Sequence, residues 1–362
     1  MIVVAKIGTS SVTASDGSVD TAAVSKLCSE VAGLRRDGHT VVVVTSGAVT
    51  AGVAAVAPLA GYRSDPKTLQ ALSAIGQPRL MRVYEDALAA EGLLAGQVLL
   101  APLDFAHRQR YLHARDTFLR LLELGVVPIV NENDAIADDE LRFGDNDRLA
   151  ALVAHLLRAD MLVLLTDTAG LLSADPRHNS DATLIEEVAE IDHELEQVAG
   201  GAASVMSRGG MSSKLAAAKM AVWSGSRVVI AAARRPSVLA DAVSGQQGVG
   251  TIFLPHRRSL GARKLWIAFA LRPAGRIVVD DGARRAVIER HKSLLPAGVL
   301  AVEGAFEADD AVEIVGADHV MFAKGIVRLA AARASEWVGL HSGELADDLP
   351  HEVVHRDDLV VL

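Results

Sequence analysis

Apolar positions along the chain fall into two kinds of run. Short continuous stretches rich in Val, Ile and Leu, namely "IVVAKI", "TVVVVT", "GQVLL", "VVPIV", "MLVLLT" and "RVVIA", alternate with segments of helical periodicity, the first of them near residues 20–36. Continuous apolar runs of this length read as strands buried on both faces, and their alternation with helices predicts an α/β fold with a mostly parallel sheet. Asp20 and the Asp65-Pro66 pair mark helix starts, while Gly38, Gly125 and Gly225 fall where helices should stop.

The pattern changes after residue 272. "GRIVVD", "VLAVEG", "AVEIVG" and "DDLVVL" are short alternating runs separated by Gly and Asp, which predicts a small, antiparallel, β-rich domain. The expected organisation is therefore a domain over residues 1–255, a linker over 256–273 and a second domain over 274–362. A length of 362 residues suits two domains.

Charge sharpens this division. Residues 1–255 carry 29 acidic against 22 basic side chains and residues 273–362 carry 16 against 9, so each is net −7 within a chain of net −9. Between them "HRRSLGARKLWIAFALR" holds five positive charges and no negative one. A basic tract with Trp266 and Phe269 could touch nucleic acid, but a solvated linker between two acidic domains is the plainer reading. The single cysteine, Cys28, cannot pair within the chain and shares a helical apolar face with Val24, Leu27 and Val31, which suits core packing in a reducing cytoplasm. No secretory signal is visible at "MIVVAKIGTS". The uncharged span 40–62 is long enough for a bilayer, yet its glycines, Pro58 and β-branched start favour a buried strand and a turn, so no membrane is expected as a partner.

In parallel sheets ligands gather at the carboxyl ends of strands. Here those ends read "KIGTSS", "TSGA", "NENDAIADDELRFGDND" and "DTAGLLSADP", and four polar loops in series suggest one shared site. "RGGMSSK", residues 208–214, precedes an alanine-rich helix expected from about 213 to 223 with Ser212 or Ser213 as its cap. Such a helix start binds phosphate readily, and Lys214 adds a positive charge; an ordinary glycine loop with a capping serine reads equally well from this stretch alone. Lys6 interrupts the first strand just before "GTSS" and would form a two-lysine clamp with Lys214 for a phosphoryl group. Neither a Walker loop nor a G-x-G-x-x-G fingerprint occurs. The polar cluster Asn131, Asn133, Asp134, Asp145, Asn146 and Asp147 exceeds what helix capping needs and does not fit a calcium loop; its carboxylates could orient the lysines or hold a substrate ammonium. "HEVVH", residues 351–355, formally matches a zinc motif, but Pro350 and the valines favour a strand, where that motif does not work.

Taken together, "VVAKIGTSS", "VVVVTSGAV", "HARDTFLRLLELGVVPIVNENDAI", "RFGDNDRLAALVA", "LLTDTAGLLSADP", "GGMSSKLAAAKMA" and "PAGRIVVDDGARRAVIERHKSLLPAGV" resemble the glutamate 5-kinases of the amino-acid kinase family over nearly the whole chain. The resemblance implies an αβα sandwich followed by a PUA-like domain at 274–362. It also implies transfer of the ATP γ-phosphate to the side-chain carboxylate of L-glutamate, the first step of proline synthesis, with Mg²⁺ on the phosphates.

By the same resemblance Lys6 and Lys214 stabilise the phosphoryl group and Asp147 holds both lysines. Ser46, Asp134 and Asn146 contact glutamate. Lys6, Thr166, Asp167 and the segment Arg208, Gly209, Gly210, Met211, Ser212, Ser213 and Lys214 meet the nucleotide. Arg208 stands where many relatives carry a small hydroxyl residue. Homo-oligomers, proline as feedback inhibitor and functional coupling to glutamyl phosphate reductase belong to the same implication; nucleic acid is not an expected partner. The alternatives are a sibling kinase for another carboxylate, carbamate or phosphate, and an RNA-binding module, against which the net −7 of the second domain argues.

Overall fold

The computed structural model describes residues 1–56, 65–105, 107–136, 146–174, 179, 181–191, 195, 210–256, 260–271, 273–341, 344 and 351–362. The chain divides into two compact units, Met1–Ser259 and Leu260–Leu362.

In the first unit the continuous apolar runs form β1 (Ile2–Ile7), β2 (Thr40–Val44), β3 (Ala95–Leu100), β4 (Val127–Glu132), β5 (Met161–Thr166) and β7 (Arg227–Ala232). With the short β6 (Glu187–Val188) and β8 (Thr251–Phe253) they build one sheet in the order β3-β4-β2-β1-β5-β7-β8-β6. The pairs from β3 to β7 are parallel, whereas β8 runs antiparallel to β7.

Both faces are covered. Val3, Ala5 and Ile7 share a core with α1 (Thr9–Val12), α2 (Thr21–Arg36), α4 (Pro66–Ala90) and α8 (Val238–Ser244). On the other face α6 (Asn146–Leu157) and α7 (Met211–Trp223) pack on each other and on β1, β5 and β7. Successive side chains alternate across a strand, so Lys6 leaves the sheet on the face opposite Ala5 and Ile7.

Asp20 and Asp65 cap α2 and α4 by accepting from Ala23 N and Thr68 N, with Pro66 at the first turn, as the sequence predicts. Gly38, Gly125 and Gly225 stand just beyond the ends of α2, α5 (Arg108–Glu123) and α7. Cys28 is wholly buried in α2; burial pushes its thiol up to about 12, which suits packing rather than redox chemistry. Within span 40–62, residues 40–56 form β2 and α3 (Ala48–Val56), and no helix of the described residues is long and apolar enough to cross a membrane.

Two close approaches position α3. A Cβ at Gly52 of α3 would lie 1.9 Å from the Leu72 carbonyl oxygen, and one at Gly76 of α4 would lie 1.8 Å from that of Ala48. Only glycine lets the two helix backbones touch in this way.

The second unit holds a sheet in the order β10-β9-β11-β12-β13, built from β9 (Gly275–Val279), β10 (Val299–Gly304), β11 (Ala311–Val315), β12 (Met321–Val327) and β13 (Val354–Val361). The expected all-antiparallel arrangement is corrected at one pair, since β9 and β11 run parallel. A parallel pair needs a long crossover, here the chain through α10 (Asp281–Arg290) and β10.

Residues 260–271 also differ from a solvated linker. They form α9 (Ala262–Leu265) and a π turn over Trp266–Ala270, with Ile267 and Ala268 packed against Ile326 and Val360. Buried Lys324 of β12 donates to the carbonyl oxygens of Ala268 and Leu271, which satisfies these two carbonyls at the turn. Of "HEVVH", Val354 and His355 open β13, while His351 to Val353 precede the strand.

Candidate active site

The carboxyl ends of β1, β2, β4 and β5 carry most of the chemistry. Lys6 is the penultimate residue of β1, and its chain is almost wholly buried at 3% exposure. Asp147, in the first turn of α6, is fully buried, where the positive end of the helix dipole favours a carboxylate. Lys6 Nζ lies 2.5 Å from Asp147 Oδ1 and Lys214 Nζ lies 3.2 Å from Oδ2. Ser213 Oγ donates to the same Oδ2 at 3.2 Å.

Burial pushes the Asp147 carboxyl up, but the charges of Lys6 and Lys214 and their hydrogen bonds outweigh it and hold the group below the usual aspartate range. The result is two buried ammonium groups around one carboxylate.

Lys214 sits one turn into α7. The helix begins at Met211 with Gly210 as its cap, so Ser212 and Ser213 lie inside the first turn and neither is the cap that the sequence suggests. Gly210 is extended and offers no side chain to cap α7. Arg208 and Gly209 lie outside the described residues, as does Asp145. Thr166 closes β5 and donates to the side chain of Asp167, which is exposed.

A second polar group lies beside the first. Asn146, adjacent to Asp147, is buried and donates from Nδ2 to the Thr45 carbonyl oxygen at 2.5 Å and to Asn131 Oδ1 at 2.6 Å. Asn131 Nδ2 donates to Gln77 Oε1 at 2.7 Å, and Ser73 Oγ donates to Asp134 Oδ2 at 2.7 Å. Thr45 Oγ1 and the Tyr84 hydroxyl are 2.8 Å apart. Burial raises the Asp134 carboxyl above the ordinary aspartate range, offset in part by the Ser73 hydrogen bond. Ser46 Oγ, Asn146 Oδ1 and Gln77 Nε2 are buried without a hydrogen-bond partner among the described residues. Buried polar atoms left open in this way fit a ligand that completes them.

The structure thus brings Lys6, Lys214 and Asp147 into direct contact and ties Asn146 to them through one peptide bond. Sequence reasoning missed Ser73, Gln77, Thr45 and Tyr84. The signal was present in α4, where Ser73 and Gln77 interrupt an otherwise apolar stripe of Leu69, Leu72, Leu80, Tyr84 and Leu88.

A model described as "Amino acid kinase family" matches residues 1–232, and one for the PUA domain matches 275–347. A glutamate 5-kinase of Pelobacter propionicus is 44% identical over 99% of this chain and 97% of its own. Those of Geobacter sulfurreducens and Photobacterium profundum are 45% and 46% identical, each over 99% of this chain and 97% and 96% of theirs. Among solved structures, an isopentenyl phosphate kinase superposes with TM-score 0.51 at 19% identity, covering 70% of this chain and 100% of its own. Carbamate kinase from Giardia lamblia bound to AMP-PNP gives 0.50 at 21%, covering 70% and 98%. Those two show the fold. With the family model spanning most of the first unit and such identity along nearly its full length, the chain belongs to the amino acid kinase family, among the glutamate 5-kinases.

Proposed function

We propose that this chain transfers the γ-phosphoryl group of ATP to the side-chain carboxylate of L-glutamate, giving L-glutamyl 5-phosphate and ADP, the first step of proline biosynthesis. The observation that carries the reading is the convergence of Lys6 and Lys214 on Asp147 next to the open polar atoms at Asn146 and Ser46.

A carboxylate oxygen of glutamate forms the new bond to phosphorus while the bond from phosphorus to the β-phosphate oxygen breaks. The acceptor is ionised at neutral pH, its reference pKa being about 4.3, so the site needs no general base. Catalysis reduces to positioning and charge neutralisation. Lys6 and Lys214 face the phosphoryl oxygens, where negative charge spreads in the transition state, and Asp147 keeps the two cations together.

In this reading Ser46, Asp134 and Asn146 hold glutamate, while Thr166, Asp167 and the segment Arg208 to Lys214 hold the nucleotide. Both Asp147 oxygens face lysine ammonium groups. Mg²⁺ would therefore sit on the phosphate oxygens of ATP and neutralise their charge there. Proline feedback, assembly of copies, hand-over of the acyl phosphate to glutamyl phosphate reductase and a cytoplasmic setting belong to the same proposal.

The test is ADP release by the purified protein offered ATP and Mg²⁺ with glutamate, acetylglutamate, aspartate or UMP. Glutamate-dependent release, with hydroxylamine trapping an acyl phosphate, is expected. Turnover of another acceptor in place of glutamate overturns the reading.

A further inference from the structure

The amides around Asn131 are oriented by backbone groups that have no freedom of their own. The Glu132 N–H can only donate, and it donates to Asn131 Oδ1 at 3.0 Å; the Thr45 carbonyl can only accept, and it takes Asn146 Nδ2. Asn131 must then present its Nδ2 to Gln77 Oε1, at 2.7 Å. The relay runs one way, from Asn146 through Asn131 to Gln77.

Its two ends are the open atoms. Asn146 Oδ1 is an acceptor and Gln77 Nε2 a donor, both buried and unpartnered among the described residues, with Gln77 only 8% exposed. The nearby open Ser46 hydroxyl can serve as a second donor. The backbone contact between Gly76 and Ala48 brings the helix that carries Gln77 against the chain leaving Ser46.

A ligand that satisfies both ends must offer a hydrogen-bond donor to Asn146 and an acceptor to Gln77. The head group of an α-amino acid has this polarity. Resting on the reading of the acceptor as glutamate, we propose that Gln77 is a specificity-determining residue whose Nε2 donates to the α-carboxylate, while Asn146 Oδ1 and Asp134 take the α-ammonium. Asn131 is the positioning residue that fixes which way each end faces.

Gln77→Glu tests this directly, because it keeps an oxygen for Asn131 and replaces the donor by an acceptor. The probe is isoglutamine, which has an α-carboxamide in place of the α-carboxylate and retains the reacting side-chain carboxylate. The ratio of kcat/KM for glutamate to that for isoglutamine is expected to fall about 10-fold or more, since a hydrogen bond to a charged group is lost and one to the carboxamide gained. KM for ATP should stay within about two-fold, which a merely structural role would not preserve alongside a change in ratio.

An unchanged ratio, with both substrates falling together or neither falling, overturns the proposal. Should the charged variant melt below assay temperature, Gln77→Met, which keeps the side-chain length without the donor, is read by the same ratio. Absence of glutamate-dependent ADP release in the unaltered protein would instead sink the reading of the acceptor itself.

Discussion

Lys6 and Lys214, 208 positions apart in the chain, hold opposite oxygens of the Asp147 carboxylate, at 2.5 and 3.2 Å. If both cations act on charge that appears during transfer, removing one should slow the chemical step more than it weakens acceptor binding. Lys214→Ala is expected to lower kcat on the order of 10²-fold or more, about 3 kcal/mol, with a smaller change in glutamate KM. Steady-state kinetics check this, and near-normal turnover would take Lys214 out of the mechanism.

Removing the shared carboxylate should damage the fold as well. Asp147→Asn leaves two buried ammonium groups without their common anion and is expected to cost about 3–5 kcal/mol in denaturant unfolding. The folded carboxyl lies below its ordinary value, so its contribution is fully present above the unfolded pKa of about 3.9 and is lost as pH falls through the folded one. The stability gap between wild type and variant should therefore be flat from about pH 5 to 8. A gap that widens toward pH 5 would contradict the assignment.

Asp134 should behave in the opposite sense. Burial holds its carboxyl above the ordinary range, so it takes up a proton at a pH where an exposed aspartate stays ionised, and the neutral form cannot pair with an ammonium. The kcat/KM for glutamate is expected to fall on acidification through that raised value, with kcat for bound substrate less affected. Ionising a desolvated carboxyl costs the free protein stability above the folded pKa, so Asp134→Asn should lose activity at pH 7 while melting no lower than wild type. A variant that loses both together would point to a purely structural carboxylate.

Gly76→Ala is a test of geometry. The added methyl would overlap the Ala48 carbonyl, which is backbone and cannot swing aside, so α3 and α4 must part. An unfolding penalty of about 1–3 kcal/mol is expected, together with a raised glutamate KM and a nearly unchanged ATP KM. Equal rises in both would show that the helix pair does not serve the acceptor side alone.

How much of this was legible in the sequence follows from what each signal measures. β1, β2, β4 and β5 could be read because burial on both faces leaves unbroken apolar runs, and Lys6 stood out by interrupting one of them. Lys214 stands out in the glycine loop and Asp147 in the polar cluster, but that Asp147 holds both lysines comes only through the resemblance, and their meeting depends on the packing of α6 against α7, which no local pattern records. The start of α7 is hard to read because glycine can occupy a cap position without offering a side chain, so Ser212 or Ser213 as the cap falls two or three residues late. In the second unit periodicity marked the strands but not their direction, and the parallel β9–β11 pair was invisible for that reason. Gln77 was overlooked since a single polar residue in an apolar helical stripe is ordinarily tolerated by a hydrogen bond, and here one of its two polar atoms is left open.

Asn146 and Asp147 are consecutive, yet one is wired to the amide relay and the other to the lysines. On the proposed assignment, the acceptor side and the phosphoryl side are thus spaced by a single planar peptide unit, about 3.8 Å between α-carbons, on the opening turn of a helix. That link works as a fixed gauge. Nothing that tilts the turn can retune one side without carrying the other along, so on the proposed assignment a new acceptor in this scaffold would evolve through Ser46, Gln77 and Asp134 while the Asn-Asp step stays where it is.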